Sequence, residues 1–279
     1  MLKSLYWRVN FFLKNRKSNR IKKSLGKDVK GIIVETGNGI FAVDPADLEV
    51  GEKLRLTGSY GSEEIDTISK FIDEESSLLV LGGHIGSLAI PLSKKCKKLI
   101  VIEANPNNFN LLETNIQLNK INNIVAHNIA ASDKEEIIKF QLNTVNSGGS
   151  KRLPVHNKYI YTYDNPEIIE VKSYSIDQYL NDQNFDLVLI DIEGSEYFAM
   201  KGMSRILSHS KTLIVEFLPH HITNVAGINY TDFISTIPNH FKKLTIPSKK
   251  QTYAIDIGLI TLQEMFNSGE GDDGIIFHN

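Results

Sequence analysis

The sequence predicts an α/β fold: a mostly parallel, seven-stranded sheet with helices on both faces, preceded by a helical arm and a small β cap. Three observations carry that prediction. Short unbroken apolar runs recur at 78–81, 99–102 and 187–190, as expected of strands buried on both faces. Stretches with apolar residues at helical spacing separate them. Polar residues interrupt the runs at one and the same end: Gly82 to Gly86, Glu103, Asp191 with Glu193, and Glu216 with His220 and His221. In an open parallel sheet that end is the ligand crevice.

The organising stretch is LLVLGGHIGSLAIPLSKKCKKLIVIE at 78–103. Strand, glycine turn, helix, strand and acid make a nucleotide-binding half-fold. Gly82, Gly83 and Gly86 let backbone approach a ligand where a Cβ would collide, and the helix starting near Ser87 directs N–H groups at it. The Glu103 carboxylate, at the second strand's tip, can accept from both hydroxyls of a ribose. A dinucleotide fingerprint needs Gly-x-Gly-x-x-Gly. Here Gly82-x-x-x-Gly86 runs into Ser87, Leu88 and Ala89, and no third glycine comes. The Gly-x-x-x-Gly form with a following Glu-x-Asn-Pro suits S-adenosylmethionine better than NAD. Glycines serving only a tight turn are the plain alternative.

Five blocks then occur in order: LGGHIGSLAIPL (81–92), IEANPNNFNLLETNIQLN (102–119), AASDKEE (130–136), NSGGS (146–150) and LIDIEGSEYFAMKGM (189–203). Together they resemble the successive motifs of the FkbM-type methyltransferases, over about residues 55 to 220. The resemblance implies a Rossmann-like class I methyltransferase fold, with S-adenosylmethionine as donor and S-adenosylhomocysteine as product. It implies O-methylation of a hydroxyl on a sugar, glycan or secondary metabolite. Cofactor contacts then fall on Gly82, His84, Gly86, Glu103 and Asp191, on Tyr60 near the methionine end, and on Ala130, with Asn128 and Ser132, beside the adenine. One departure stands out. Gly82-Gly83 occupies the place where the family commonly has Gly-Ala after an Asp, and Glu64 is the candidate to replace that acid's contact.

At 279 residues the chain is long enough for one large α/β domain with appendages. A single cysteine, Cys96, leaves no internal disulfide and fits a reducing cytoplasm. No run approaches membrane-spanning length. The net charge of −2 conceals an asymmetry: residues 1–27 hold nine basic residues and no acid, leaving 22 basic against 33 acidic residues elsewhere. The body is therefore predicted to be acidic and not to grip nucleic acid over a broad face.

Four segments follow: a basic amphipathic arm (1–27), a small β cap (28–62), the methyltransferase domain (63–262) and an acidic, glycine-rich tail (263–279) read as loose. In the arm, Leu2, Leu5, Val9 and Phe12 fall at helical spacing, with Tyr6, Trp7 and Leu13 nearby. Three readings stay open: packing on the body or a second subunit, lying on an anionic membrane surface at the inner face, or a disordered tail. The cap reads as β over 31–56, a hairpin turning at Gly37-Asn38-Gly39. Ile65, Ile68, Phe71 and Ile72 mark a helix. Asn105-Pro106 starts the next, with Phe109, Leu112 and Ile116 as its buried stripe. A third strand is expected over 124–129. Runs at 136–143 and 167–176 flank a long loop carrying NSGGS, Tyr159, Tyr161 and Tyr163, read either as an acceptor lid or as an ordinary excursion. The fourth strand, a helix at 196–208, the fifth strand at 212–219, a helix near 231–237 and two closing strands, FKKLTIP and YAIDIGLITL, complete the sheet.

Methyl transfer to oxygen needs an acceptor held in line and a base for its proton. Asp191 is expected nearest the methyl group, with Glu193 or His220 taking the proton; a helix N-terminal acid is the alternative for Glu193. Glu216, His221 and Tyr161 are candidates for binding the acceptor, a small molecule or glycan. Asp191, Glu193 and Glu216 offer oxygen ligands for a divalent metal, but no tight ligand motif supports one and none is expected. No Asn-Pro-Pro-Tyr-like segment follows strand four, which argues against methylation of a nucleobase amino group. A cofactor-binding module without turnover and an N- or RNA-methyltransferase are the competing readings.

Overall fold

The computed structural model describes residues 2–26 and 28–279, with side chains from Tyr6 onward; Met1, Lys27 and the side chains of Leu2 and Leu5 lie outside the described residues. The first two strands form a hairpin, β1 (Ile32–Thr36) and β2 (Gly39–Val43). The strands β3 (Ser77–Leu81), β4 (Lys98–Ile102) and β5 (Ile124–His127) belong to the central sheet. A separate four-stranded sheet takes β6 (Ala130–Ser132), β7 (Glu136–Leu142), β8 (Lys151–Arg152) and β9 (Glu167–Ser175). The chain then re-enters the central sheet as β10 (Leu187–Ile190) and β11 (Thr212–Phe217), and ends it with β12 (Lys243–Ile246), β13 (Gln251–Ala254) and β14 (Asp272–His278).

The central order is β13-β12-β14-β11-β10-β3-β4-β5. From β11 to β5 every pairing is parallel, whereas β14 runs antiparallel to both β11 and β12. Eight strands stand where seven were expected: β13 is the hairpin partner of β12 at the edge, and the unexpected strand is β14, from the tail. Leu79, Leu81, Val188 and Ile190 face one core cluster, and Leu78, Val80, Leu187 and Leu189 the other. The alternation explains the unbroken apolar runs, because each strand is covered on both sides.

Several expectations give way. The tail is not loose: its Ile275, Ile276 and Phe277 are buried in β14, a short run concealed in sequence by flanking glycines and acids. Only the first two residues of YAIDIGLITL, Tyr253 and Ala254, are strand, ending β13; Ile255–Ser268 is a helix that packs Ile255, Leu259, Leu262 and Phe266 on the core at helical spacing. In the cap only the hairpin is β; Val50–Thr57 is a helix, stopped by Gly58 in the left-handed region (φ 66°). The third strand ends at His127, and residues 130–132 pair with β9 in the second sheet.

Two asparagines dock the hairpin on the domain. Asn115, fully buried in the helix Pro106–Leu118, accepts from Ala42 N (2.6 Å) and donates to Ala42 O (3.1 Å) and Ile85 O (2.8 Å). Asn119 repeats the pattern one turn on, toward Ile40 N and O. Side-chain amides thus act as the next strand would, satisfying an edge that would otherwise be left open.

The arm is a single helix, Leu2–Leu25, and it lies on the body. Phe11 stacks on Tyr163 at 4.4 Å, Asn15 donates to Tyr163 O at 3.0 Å, Ser18 is buried, and Lys14 and Lys17 pair with Glu49 and Glu52. No helix among the described residues is long and apolar enough to cross a membrane.

Candidate active site

A cavity of about 240 Å³ opens where β3, β4 and β10 end. The glycine turn forms its floor. Gly82 and Gly83 both donate to Ile102 O, at 2.9 and 3.1 Å, and Asp191 N donates to Leu81 O at 3.0 Å, so three strand ends are laced together. A Cβ on Gly82 (φ +91°) would lie 1.7 Å from the Asp191 carbonyl oxygen, and one on Gly83 would lie 2.0 Å from Val101 Cγ1. Gly86 differs. Its added Cβ would meet Leu112 and Ile90, and it does not line the cavity. It packs helix on sheet, where an added side chain would push Leu112 and Ile90 apart.

Glu103 stands at the tip of β4 with its carboxylate anchored at both oxygens. His84 N donates to Oε2 and Asn105 N to Oε1, each at 2.7 Å. Burial pushes its pKa up to about 7, against the pull of those two N–H groups. The His84 ring meets Ser147 Oγ at 2.7 Å, and Ser147 N donates to Asp47 Oδ2 at 3.0 Å. Asn108 donates to Ser147 O, and Asn105 to Ser150 Oγ, both at 3.0 Å. The NSGGS segment is therefore clamped over the glycine turn, and Asn146, Gly148 and Ser150 line the same cavity as Glu103. The sequence placed this segment, one of the five family-like blocks, in a long loop read either as an acceptor lid or as an ordinary excursion. Its small polar side chains beside glycine were the available signal for a backbone-built wall.

Tyr60, Glu64, His84 and Ala130 also line the cavity, Ala130 together with Ile138 and Phe140. Burial, then Asp273, raises Glu64 to about 7. Asn128 and Ser132 are placed elsewhere: Asn128 donates to Glu103 O at 2.8 Å, and Ser132 Oγ, buried, accepts from Arg152.

At the other end of the cavity lie Asp191, Ile192, Glu193 and Ser195. Asp191 is half-buried, and desolvation followed by the neighbouring Glu193 and Glu64 carboxylates holds its pKa well above the usual carboxylate range. The Asp-Ile-Glu-Gly turn takes two left-handed residues, Glu193 (φ 58°) and Gly194 (φ 101°). Glu196, buried, accepts from Ile192 N and Gly194 N at 3.0 Å each and so holds that turn. Behind Glu193 stands a cluster the sequence only half disclosed. Lys151 Nζ donates to Glu193 Oε2 at 2.8 Å, His221 Nε2 is 3.5 Å from the same oxygen, and His221 Nδ1 meets Glu216 Oε2 at 3.0 Å. Lys151, buried and 5.5 Å from the Tyr161 ring, follows NSGGS with no motif of its own to announce it.

The structure brings His221 to Glu193, where the sequence pointed to His220. On a helical turn adjacent residues point about 100° apart. The turn Pro219–His221 directs His221 inward, and His220 Nδ1 lies 3.0 Å from Tyr161 Oη instead. Burial first, then Lys151 and His220, hold the His221 pKa far below its ordinary value, so the ring is neutral. Of the three loop tyrosines only Tyr161 reaches this cluster; Tyr159 and Tyr163 turn to the arm. Glu193, Glu216 and His221 offer three ligand atoms within 4.8 Å of one another, a set without Asp191, and Lys151 already brings one positive charge to it.

Residues 81–253 match the family profile described as the methyltransferase FkbM domain, which is more than half of the chain. The chain belongs to the FkbM methyltransferase family. S-adenosylmethionine is the cofactor that goes with this membership, and the FkbM cavity suits it: acid at a strand tip, an apolar slot at Ala130, Ile138 and Phe140, and carboxylates at the opposite end. Among solved structures, the chain is similar to the FkbM methyltransferase of Methylobacillus flagellatus KT at 17% identity and TM-score 0.45, over 74% of this chain and 44% of that one. It thus spans less than half the length of that FkbM structure. It is similar to M. jannaschii TYW2 in complex with AdoMet (14%, TM-score 0.43, 89% and 84% covered). A TehB-like SAM-dependent methyltransferase of Corynebacterium glutamicum is a further neighbour (12%, TM-score 0.45, 82% and 93% covered). No curated protein matches the chain.

Proposed function

We propose that this protein O-methylates a hydroxyl of an uncharged sugar, glycan or secondary metabolite. The single observation that carries the reading is the cluster at the cavity's far end, Glu193 backed by Lys151, His221 and Glu216. Bound S-adenosylmethionine supplies an electrophilic methyl carbon on a sulfonium. The chain's residues do the rest. Glu103, fixed by two backbone N–H groups, presents its remaining lone pairs to the ribose hydroxyls. Asp191 borders the space for the acceptor, and the Glu193 carboxylate accepts the hydroxyl proton as oxygen attacks carbon. Neutral His221 stands next in line, with Nε2 toward Glu193 and Nδ1 toward Glu216. General-base assistance of this kind is worth about 10²–10⁴-fold. Carboxylates dominate this end, which disfavours phosphorylated acceptors and nucleic acid.

The test is transfer of labelled methyl from S-adenosylmethionine to a panel of neutral glycans, polyols and phenols, with total RNA alongside. Label on a hydroxyl acceptor is expected, with Glu193→Gln losing about 10²–10⁴-fold in kcat while S-adenosylhomocysteine binding is unchanged. Label on RNA alone, or cofactor binding without turnover on any acceptor, would overturn the proposal.

A further inference from the structure

The helix Leu2–Leu25 presents two unlike faces. Inward, Phe11, Asn15 and Ser18 meet the body. Outward, Tyr6 (67% exposed), Val9 (49%), Phe12 (59%) and Leu13 (55%) form an apolar patch in the first half of the helix. Arg16, Arg20 and Lys23 continue the same face, all exposed and without an ion pair among the described residues. Trp7, half exposed, stands one turn before Phe11 on the inward side, 6.0 Å from the Phe11 ring and edge-on to Tyr6.

We infer that this face docks on an anionic lipid surface. The ligand must take large apolar side chains and guanidinium groups side by side along one line. A bilayer interface does both, since rings and aliphatic groups enter the boundary below the headgroups while arginines meet headgroup phosphates. A second copy of the chain fits less well: its arm carries the same uncompensated positive charge and no acid, so two such faces repel. A nucleic acid would satisfy the arginines and leave Tyr6, Val9, Phe12 and Leu13 in water. The body's negative charge is set away from the docking face by the helix itself, which spends Lys14 and Lys17 on Glu49 and Glu52 and keeps Arg16, Arg20 and Lys23 outward.

Trp7 is the only tryptophan, so its emission reports on the arm alone. The full chain is titrated with vesicles of phosphatidylcholine, with and without phosphatidylglycerol, and pelleting is measured in parallel. The expected result is pelleting with the anionic vesicles, accompanied by a change in Trp7 emission as the neighbouring Tyr6 is buried, both lost on raising salt. Each exposed basic residue contributes about fivefold, so Arg16→Gln with Arg20→Gln weakens binding about 25-fold. Phe12→Asp abolishes pelleting. These positions are exposed, and unchanged S-adenosylhomocysteine binding serves as the control for folding. Binding to neither vesicle, or equally to both, would overturn the inference. So would a lipid-free dimer in sedimentation velocity that Phe12→Asp dissociates. None of these outcomes bears on the methyl-transfer reading.

Discussion

Replacing Glu103 by glutamine separates holding a cofactor from holding the fold, because the two effects are expected to have opposite signs. The buried carboxylate has a pKa raised from 4.5 to about 7, so its ionised form is disfavoured in the folded state. For an acid with a raised folded-state pKa, stability is lost as pH climbs from the unfolded value through the folded one. Fully ionised, Glu103 therefore costs about 3 kcal/mol, at 1.36 kcal/mol per unit. Glutamine removes that cost. It also turns one acceptor into a donor, leaving either His84 N–H or Asn105 N–H unpaired, a loss of about 1–3 kcal/mol. The protein without cofactor should hence melt at pH 8 at the wild-type temperature or a few degrees above it. Affinity moves the other way, since one charge-assisted bond to the ribose, about 1.5–3 kcal/mol, is lost. Calorimetric titration with S-adenosylhomocysteine should show Kd raised about 10- to 150-fold. A Kd within threefold of wild type would refute Glu103 as the sugar contact. A parallel fall of several degrees in Tm would show that the carboxylate's role is structural.

Three further outcomes are expected. Gly82→Ala places a Cβ 1.7 Å from the Asp191 carbonyl oxygen at a left-handed φ, and should cost at least about 3 kcal/mol in urea unfolding and abolish cofactor binding. Asn115→Ala leaves Ala42 N–H, Ala42 C=O and Ile85 C=O without their partner, and should lower the urea midpoint by the equivalent of about 2–4 kcal/mol with the m-value unchanged. Glu64 has its pKa raised by burial to about 7, so Glu64→Gln should melt higher than wild type, with the gap opening above pH 4.5 and levelling off beyond pH 7.

The parts legible in the sequence are those set by local pattern. Strands β3, β4, β10 and β11 are covered on both faces, so they had to be written as continuous apolar residues, and the acids at 103, 191 and 216 mark where those runs meet the crevice. What stayed hidden depends on contacts distant in sequence or on helical phase. Lys151 acquires its role only because β8 is folded toward the 191–196 turn, and Ser147 only because Asp47, 100 residues away, reaches it. His220 and His221 are adjacent and chemically equal, and only the orientation of one helical turn distinguishes them. The helix Ile255–Ser268 was mistaken for a strand because Tyr253, Ile255 and Ile257 alternate with Ala254, Asp256 and Gly258, imitating a period of two at its start.

Glu49 belongs to two neighbourhoods at once. It borders the cavity at the ends of β3, β4 and β10 and receives Lys14 from the arm. A ligand that displaces this carboxylate must change how firmly the arm is seated, and thermodynamic reciprocity then makes the arm's seating change the ligand's affinity by the same factor. Filling the cavity and seating the arm would in that case be one linked equilibrium, with the hinge at a single side chain.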